Sequence, residues 1–192
     1  PMRLYHHGPL GRVLQRFLHE RGERQDFDLV ALEQLWLRAA AHDPAIGLHL
    51  FSQFSRQDWH VLACLGFYAP NAAESTACWV RYQRLASTLD AVDQVERDDL
   101  LGVSIRVHSS EALERYLVEH YMTMAVTQLN AAAECQLIPV RVCLRHPQPA
   151  YWAEYQPLLG EQLEFGAAHN QLWFRRADLL HPNPGANQGM FE

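Results

Sequence analysis

The stretch VRVCLRHPQPAYWAEYQPLLGEQLEFGAAHNQLWF, residues 140–174, changes its pattern several times. It opens with alternating apolar and polar side chains, which are typical of a strand with one solvated face. Pro147 and Pro149 close that strand and open a short helix, AYWAEYQPLL, which Gly160 stops. Two further short strands follow in QLEFGA and NQLWFRR. The stretch therefore predicts the order β-α-β-β.

The residues just upstream extend this order. Residues 91–97 and 101–108 alternate with period two around Asp98-Asp99, which predicts a β-hairpin. Ser109 and Ser110 then offer caps for a long helix over about 110–134, whose apolar side chains recur at spacings of three and four. The second half of the chain is thus predicted to be β-β-α-β-α-β-β.

The first half is predicted to be helical. Apolar periodicity and capping residues place helices over 10–20, 28–41, 44–54, 57–68 and 71–89, and the fourth is apolar enough to be a buried helix. Because helices precede strands, we expect an α+β fold in which a small, mostly antiparallel or mixed sheet packs against helices. We expect one domain over 1–182, with a helical part at about 10–89 and an α+β part at about 90–182.

Composition narrows the functional class. The formal net charge is -6, which argues against a free-standing nucleic-acid-binding domain. All sixteen basic residues are arginine, so lysine-dependent chemistry such as a Schiff base or a P-loop is excluded. There is no signal peptide and no apolar run long enough to span a membrane, so we expect a soluble, cytoplasmic protein without membrane contact.

No catalytic or metal-binding motif is present. The sequence has no G-x-S-x-G, G-x-G-x-x-G or Walker pattern, no C-x-x-C, and no ligand spacing among its eleven histidines. We therefore expect no enzyme, no metal and no cofactor. His120, on the buried stripe of the long helix, is read as a core histidine, with a pocket or haem-ligating position as the alternatives. His146 is read as part of the joint between strand and helix.

Three segments together resemble a known family. The residues that carry the resemblance are His146, Pro147, Pro149, Tyr155, Gly160, Phe165, Gly166, Asn170, Leu172 and Phe174, then Asp43, Pro44, Gly47 and Leu48, and finally Pro70, Glu74, Arg81 and Tyr82. In these residues the chain is similar to the N-terminal effector-binding and oligomerisation region of AraC/XylS-type transcription regulators, in the arabinose-binding-like branch that includes ornithine- and arginine-responsive members. The chain departs from the family pattern at His60, Ala63, Cys64, Ala69, Asn71 and Ala72.

The resemblance implies a regulatory domain that senses a small-molecule effector, with amino-acid-like chemistry as one expectation, and that forms a homodimer. It also implies that DNA is contacted only through a C-terminal helix-turn-helix domain, which is absent from this sequence. Residues 183–192, rich in Pro, Gly and Asn, are then expected to begin the linker to that domain. Two alternatives stay open: a ligand-free dimerisation module, and a haem- or cofactor-binding sensor.

The predicted pocket residues come from the middle helices, the long helix and two strands. They are Trp59, Cys64, Tyr68, Trp79, Tyr82, Arg106, His120, Tyr121, Met124 and Arg141. Arg106 and Arg141 would pair with a carboxylate ligand if they face inward, and otherwise face solvent. Val118, Met122 and Val126 on the long helix would form an exposed dimer face in the alternative without a ligand, or else a second core layer.

Overall fold

The structure is a computed structural model that describes residues 10–22 and 32–192. Five helices lie in the part of this region that precedes the sheet: α1 (Leu10–His19), α2 (Leu32–His42), α3 (Ile46–His49), α4 (Val61–Tyr68) and α5 (Ala72–Tyr82). Short 3-10 turns at Leu50–Gln53, Arg56–Asp58 and Gln83–Leu85 connect or extend them.

The second half alternates strands and helices in the predicted order. Its elements are β1 (Asp90–Arg97), β2 (Leu100–Val107), α6 (Glu111–Ala133), β3 (Arg141–Leu144), a 3-10 turn at Trp152–Tyr155 followed by α7 (Gln156–Leu159), β4 (Leu163–Phe165), β5 (Asn170–Arg175), α8 (Arg176–Leu179) and α9 (Gln188–Phe191). The strands form one sheet in the order β1-β2-β5-β3-β4. All pairs are antiparallel except β3 with β4. The predicted α+β fold with a mixed sheet against helices is confirmed.

Helix α6 runs through the centre of the molecule. Ser110 caps it, since the Ser110 hydroxyl accepts a hydrogen bond from the backbone N–H of Leu113. Side chains on every side of its middle turns are buried, including Val118 and Met122 at 0% exposure and Val126 at 4%. These three residues therefore form a second core layer, and the prediction that they present an exposed dimer face is wrong.

The bounds of several predicted helices differ from the observed ones. The helix predicted over 44–54 is observed as α3 and the 3-10 turn at Leu50–Gln53, and the helix predicted over 57–68 begins only at Val61. The helix predicted over 71–89 ends at Tyr82, because the chain turns at Gln83–Leu85 and the Ser87 hydroxyl bonds the Asp90 carboxyl where β1 begins. The helix predicted over 28–41 is described only from Leu32, and residues 28–31 lie outside the described part of the chain.

Helix α4 corrects a further expectation, its burial. It is strongly apolar, yet none of its described side chains is buried, and Cys64 is exposed. The reason is its position: the helix is a wall with a cavity on one side and the protein surface on the other. No helix in the described ranges is long and apolar enough to cross a membrane.

Candidate ligand-binding site

A cavity of about 140 Å³ lies between helices α4, α5 and α6 and the inner face of strands β2 and β5. Most of its lining is apolar. The aromatic part of the lining consists of Phe51, Phe54, Trp59, Phe67, Trp79, Tyr121 and Phe174, together with His120. The polar part consists of Asp58, His60, Ser75, Thr76, Gln83, Ser87, Asp90 and Gln128. Concave, mostly apolar sites with a few polar groups are typical of small-molecule binding.

Stacked aromatic rings build one wall of the cavity. The Trp59 ring stacks on Phe67 with centroids 5.5 Å apart, and on Phe51 at 6.4 Å. The His120 imidazole lies 5.3 Å from the Phe54 ring and 5.7 Å from Tyr121. These contacts place flat apolar faces next to one another, an arrangement that suits a planar ligand.

Asp90 and its partners form a buried polar group in the lining. The Asp90 carboxyl accepts hydrogen bonds from the Ser87 hydroxyl at 3.0 Å and from the Tyr121 hydroxyl at 2.9 Å. Burial raises the pKa of Asp90, and the two hydrogen bonds offset part of that rise. Burial likewise raises the pKa of Tyr121 well above its ordinary value, so this phenol stays a hydrogen-bond donor.

Asp58 is the second carboxylate in the lining, and it is already paired. Arg16 on α1 donates to it at 2.9 Å, and both the backbone N–H and the hydroxyl of Ser55 donate to it at 2.9 Å. The Arg16 hydrogen bond is the main reason that the pKa of Asp58 falls to about 2. This ion pair fastens α1 to the segment that leads into the cavity wall.

Two polar atoms in the lining have no hydrogen-bond partner among the described residues. They are Trp59 Nε1, which can only donate, and Gln83 Oε1, which can only accept. Other polar side chains are already paired: the Ser75 hydroxyl donates to the carbonyl of Gly66 at 2.7 Å, and the Thr76 hydroxyl donates to that of Ala72 at 2.9 Å. Trp59 Nε1 and Gln83 Oε1 have almost no accessible surface, so neither is open to the cavity in this arrangement of the side chains.

The structure brings half of the predicted pocket residues together. Trp59, Trp79, His120, Tyr121 and Met124 line the cavity.

The other half lies elsewhere. Cys64 and Tyr68 are on α4 but outside the lining, and Tyr82 is on the surface beneath Arg81. Arg106 pairs with Asp93 at 2.7 Å and Arg141 with Glu164 at 2.6 Å, all on exposed parts of the sheet. Both arginines therefore occupy the solvent-facing alternative. Gln83, Ser87 and Asp90 were missed because they follow α5 in a turn, where no periodicity marks an inward side chain.

No group of three His, Cys, Asp or Glu side chains able to hold a metal ion occurs in the described ranges. His120 is 2% exposed and packs edge-on to Trp36 at 6.0 Å, so it belongs both to the core and to the cavity lining. Ring contacts on several sides hold its imidazole in place.

The C-terminal segment, residues 182–191, is docked onto the far end of α4. The backbone N–H of Asn183 donates to the Pro70 carbonyl at 2.9 Å, and its side-chain amide donates to the Ala69 carbonyl at 3.0 Å. The backbone N–H of Asn187 donates to the Tyr68 carbonyl at 3.0 Å. Helix α9 then contacts α4 directly. The segment expected to begin a linker is thus attached to the same helix that walls the cavity.

A second buried polar cluster lies on another face of α6, around Glu119. Glu119 is 0% exposed, and burial raises its pKa to about 7. Its Oε1 atom is hydrogen-bonded to the hydroxyls of Tyr155 and, at 2.8 Å, Tyr151. His146 Nε2 lies 3.2 Å from the Tyr155 hydroxyl and Nδ1 lies 2.9 Å from the Pro147 carbonyl.

This cluster, which we call the Glu119 cluster, gathers several residues that carry the family resemblance. Gly47 packs so closely that a Cβ atom there would lie 2.8 Å from the Cβ of Glu119. Phe165 stands edge-on to the Tyr155 ring at 5.2 Å. Together with His146, these residues form a structural joint, as the sequence predicted for the histidine. Glu119 itself could not be recognised from the sequence, since a glutamate on a helix is usually solvated.

Comparisons with known proteins agree with this architecture. The family described as the arabinose-binding domain of AraC transcription regulators, N-terminal, matches residues 20–183. The crystal structure of the transcriptional regulator CdpR from Pseudomonas aeruginosa has the same fold, with a TM-score of 0.70 at 16% sequence identity over 94% of this chain. The chain spans 59% of the length of that regulator. No curated protein matches. With a match over most of its length, the chain belongs to the family of N-terminal arabinose-binding domains of AraC transcription regulators.

Proposed function

We propose that this chain is the effector-sensing part of an AraC-type regulator and that the cavity is its effector site. A small metabolite bound there would favour one arrangement of the cavity wall over another. The C-terminal segment would pass that preference to a C-terminal DNA-binding half, through which alone the regulator would contact DNA.

The position of α4 is the observation that carries this proposal. Leu62, Ala63, Gly66 and Phe67 line the cavity. The end of the same helix accepts the backbone N–H of Asn187. Because both contacts are made by one helix, a ligand that moves or stabilises α4 directly affects the attachment of the C-terminal segment.

The energies needed are modest. Coupling between an effector and a second site is typically worth about 1–3 kcal/mol. Helix α4 is suited to respond, because its described side chains are half-buried or exposed and so it is held less firmly than the core helix α6. A ligand in the cavity would bury the apolar side chains of α4 that face it, and this burial would stabilise the position of the helix.

A thermal-shift screen of metabolites with a matched pair of variants tests the proposal. Ala63→Trp places an indole in the cavity. Cys64→Trp places the same indole on the protein surface, because Cys64, the next residue, is exposed. A true effector at a hundred times its Kd should stabilise the protein by about 2.7 kcal/mol. We expect that stabilisation in the unaltered chain and in Cys64→Trp, and its loss in Ala63→Trp. Metabolites that stabilise all three proteins equally would rule out the cavity as the effector site.

We also propose the division of the chain into a sensing domain over 1–182, with a helical part at about 10–89 and an α+β part at about 90–182, and a connecting segment from 183. The change from helices to sheet at β1 supports the inner boundary. Limited proteolysis tests the outer one: the segment from 183 is held to α4 by only a few hydrogen bonds, so it should be cleaved before any site in 32–182. Early cleavage near residue 90 would contradict the single domain.

Homodimerisation is a further proposal. It is supported by large apolar side chains that are more than half exposed, namely Leu85, Ile138, Leu180 and Met190. Sedimentation velocity over a hundredfold range of concentration checks it. We expect twice the monomer mass of 22.1 kDa at the upper end. A monomer throughout that range would overturn the proposal and leave effector sensing untouched.

A further inference from the structure

The carboxyl group of Asp90 uses only one of its two oxygen atoms inside the protein. Its Oδ1 atom accepts both hydrogen bonds, from the Ser87 and Tyr121 hydroxyls. No hydrogen bond in the described part of the chain ends on Oδ2, and unlike Trp59 Nε1 and Gln83 Oε1 this oxygen keeps accessible surface. Because Asp90 belongs to the cavity lining, its Oδ2 atom is an acceptor for a ligand.

The cavity lining contains carboxyl groups and no guanidinium group. No arginine lies among the described lining residues, and the second carboxyl group, that of Asp58, already has Arg16 as its counter-charge. The bases in the lining are His60 and His120. His60 Nδ1 accepts a hydrogen bond from the backbone N–H of Leu62 at 3.2 Å, so this nitrogen carries no proton.

Two other histidines bear on the charge of the site. His120 is 2% exposed and is surrounded by aromatic rings, with Phe54 at 5.3 Å. Burial is the main influence on the pKa of Asp90 and raises it, whereas the exposed His108 lies close enough to lower it in part. At pH 8 an imidazole with the ordinary pKa of about 6.5 is mostly uncharged. An ionised Asp90 then has no full counter-charge, and an ion left unpaired in an apolar site is costly.

The cavity has room for about one aromatic ring. An apolar cavity of roughly 150 Å³ holds a benzene molecule, and this one measures about 140 Å³. The rings of Trp59 and Phe67 stack with centroids 5.5 Å apart, and both residues belong to the lining. Tyr121 adds a ring directly beside Asp90, to which its hydroxyl donates. Because the faces of aromatic rings attract cations as well as apolar groups, the lining suits a ring that carries a cationic group.

Resting on the proposed sensing role, we infer that the cavity binds an organic cation of about one aromatic ring, whose ammonium group pairs with Asp90 Oδ2. The ammonium group supplies both the counter-charge and a hydrogen-bond donor, and a charge-assisted hydrogen bond is roughly twice as strong as a neutral one. A carboxylate on the ligand would meet the charge of Asp90 and no arginine. Anions and zwitterionic amino acids are therefore disfavoured.

Four probes of similar shape test the class of ligand. Benzylamine is a cation at pH 8, benzyl alcohol is its neutral isostere, benzoate is an anion, and phenylglycine is benzylamine with an added carboxylate. Their Kd values are measured by ligand-observed NMR at pH 8, up to millimolar concentration. We expect benzylamine to bind about ten times more tightly than benzyl alcohol, and more tightly still than the other two. No binding of benzylamine, or equal or tighter binding of any other probe, would overturn the inference.

Two variants on β1 connect the result to Asp90. Asp90→Asn keeps the shape of the side chain but removes its charge. Asp93→Asn makes the same change on the same strand, where the carboxyl group is exposed and pairs with Arg106. Asp90→Asn should weaken benzylamine about tenfold and leave benzyl alcohol nearly unchanged, whereas Asp93→Asn should affect neither. Equal benzylamine affinity in the two variants would show that Asp90 does not recognise the ligand.

A measurement on the unaltered chain replaces the variant should Asp90→Asn not fold. In ¹³C-labelled protein, benzylamine should shift the carboxyl carbon resonance of Asp90 and leave that of Asp93 in place. A shift at neither residue, or equal shifts at both, would overturn the inference.

Failure of this inference is distinguishable from failure of the sensing role. An anionic or neutral metabolite whose stabilisation is lost in Ala63→Trp but kept in Cys64→Trp would leave the cavity as the effector site and overturn only the ligand class. Benzylamine that binds equally well to Ala63→Trp and to the unaltered chain would place the amine outside the cavity and overturn the inference itself.

Discussion

Glu119 and His120 are adjacent on α6, yet their side chains lie in different surroundings. The Glu119 carboxyl is enclosed with Tyr151 and Tyr155, whereas the His120 imidazole lines the cavity beside Phe54. One helix therefore separates a structural cluster from the candidate effector site. Substitutions at these two neighbouring positions are expected to affect different properties, stability for Glu119 and ligand response for His120.

Replacing Glu119 by Gln should change how stability depends on pH. Because the pKa of Glu119 is raised from 4.5 to about 7 in the folded protein, the folded state holds this proton more tightly than the unfolded state. The stabilisation is therefore complete below pH 4.5 and is lost as the pH rises through about 7. Urea denaturation from pH 4.5 to 8 should show a loss on the order of 3 kcal/mol in the unaltered protein.

The variant Glu119→Gln should lack that part of the slope, because a neutral amide occupies the site at every pH. Glu111→Gln on the exposed first turn of α6 is the matched control and should keep the slope. If Glu119→Gln and the unaltered protein lose stability in parallel between pH 4.5 and 8, Glu119 does not hold a proton in the folded state.

Replacing Gly47 by Ala should destabilise the Glu119 cluster. The added methyl group would lie 2.8 Å from the Glu119 Cβ and 3.0 Å from the Tyr116 carbonyl, and the latter cannot move without disturbing α6. Overpacking of this kind costs about 1–3 kcal/mol. Gly189→Ala, whose methyl group would meet Asn187 Oδ1 at an ordinary 3.7 Å, is the control. Equal melting temperatures for the two variants would contradict the tight packing at Gly47.

The fold was predictable because its signals are local. The alternation in residues 140–145, the prolines after it and the capping serine of α6 each fix an element whatever its neighbours do, and the observed order follows. The partial exposure of α4 was not predictable in this way. Apolar composition indicates that a helix avoids water, but it does not distinguish a core from a cavity wall, since both remove the side chains from bulk solvent.

The candidate site was predictable mainly where helical periodicity applies. Tyr121 and Met124 follow the stripe of α6 and line the cavity, whereas Gln83 and Asp90 lie in a turn and at a strand start. Arg106 and Arg141 face solvent, which is one of the two alternatives left open for them. On a strand a one-residue step reverses the face, so alternation alone did not tell which set of residues points inward.

Replacing Asp58 by Asn should loosen the attachment of α1. The change removes the ion pair with Arg16 and weakens the cap that Ser55 makes with Asp58. Because the pKa of Asp58 is lowered from 3.8 to about 2, its stabilisation is present above pH 3.8 and is lost as the pH falls through about 2. At neutral pH we expect a loss of about 1 kcal/mol by urea denaturation.

To isolate this effect, the stability of Asp58→Asn is measured as the pH is lowered, and the same is done for the control Arg12→Gln, which lies on the exposed side of α1. Arg12→Gln should behave as the unaltered protein does, and Asp58→Asn should be less sensitive to acid between pH 4 and 2. A variant Asp58→Asn as stable as the unaltered protein at pH 7 would show that the ion pair contributes nothing to the attachment.

Replacing Asn183 by Ala should detach the C-terminal segment while leaving the cavity intact. The change removes the hydrogen bond from the Asn183 amide to the Ala69 carbonyl and leaves that carbonyl, in a residue with 0% exposure, without this partner. Hydrogen exchange followed by mass spectrometry should show faster exchange at the backbone N–H of Asn187, which bonds Tyr68. Exchange in α6 should not change, because its amides depend on the core.

Asn187→Ala is the control: it removes only the cap of α9, where Asn187 Oδ1 accepts from the backbone N–H of Met190, so the anchoring at Asn183 should persist. A ligand that binds the cavity should slow exchange across the segment in the unaltered protein and in Asn187→Ala, but not in Asn183→Ala. Slowing of equal size in all three proteins would mean that α4 does not transmit the effect of the ligand to the segment.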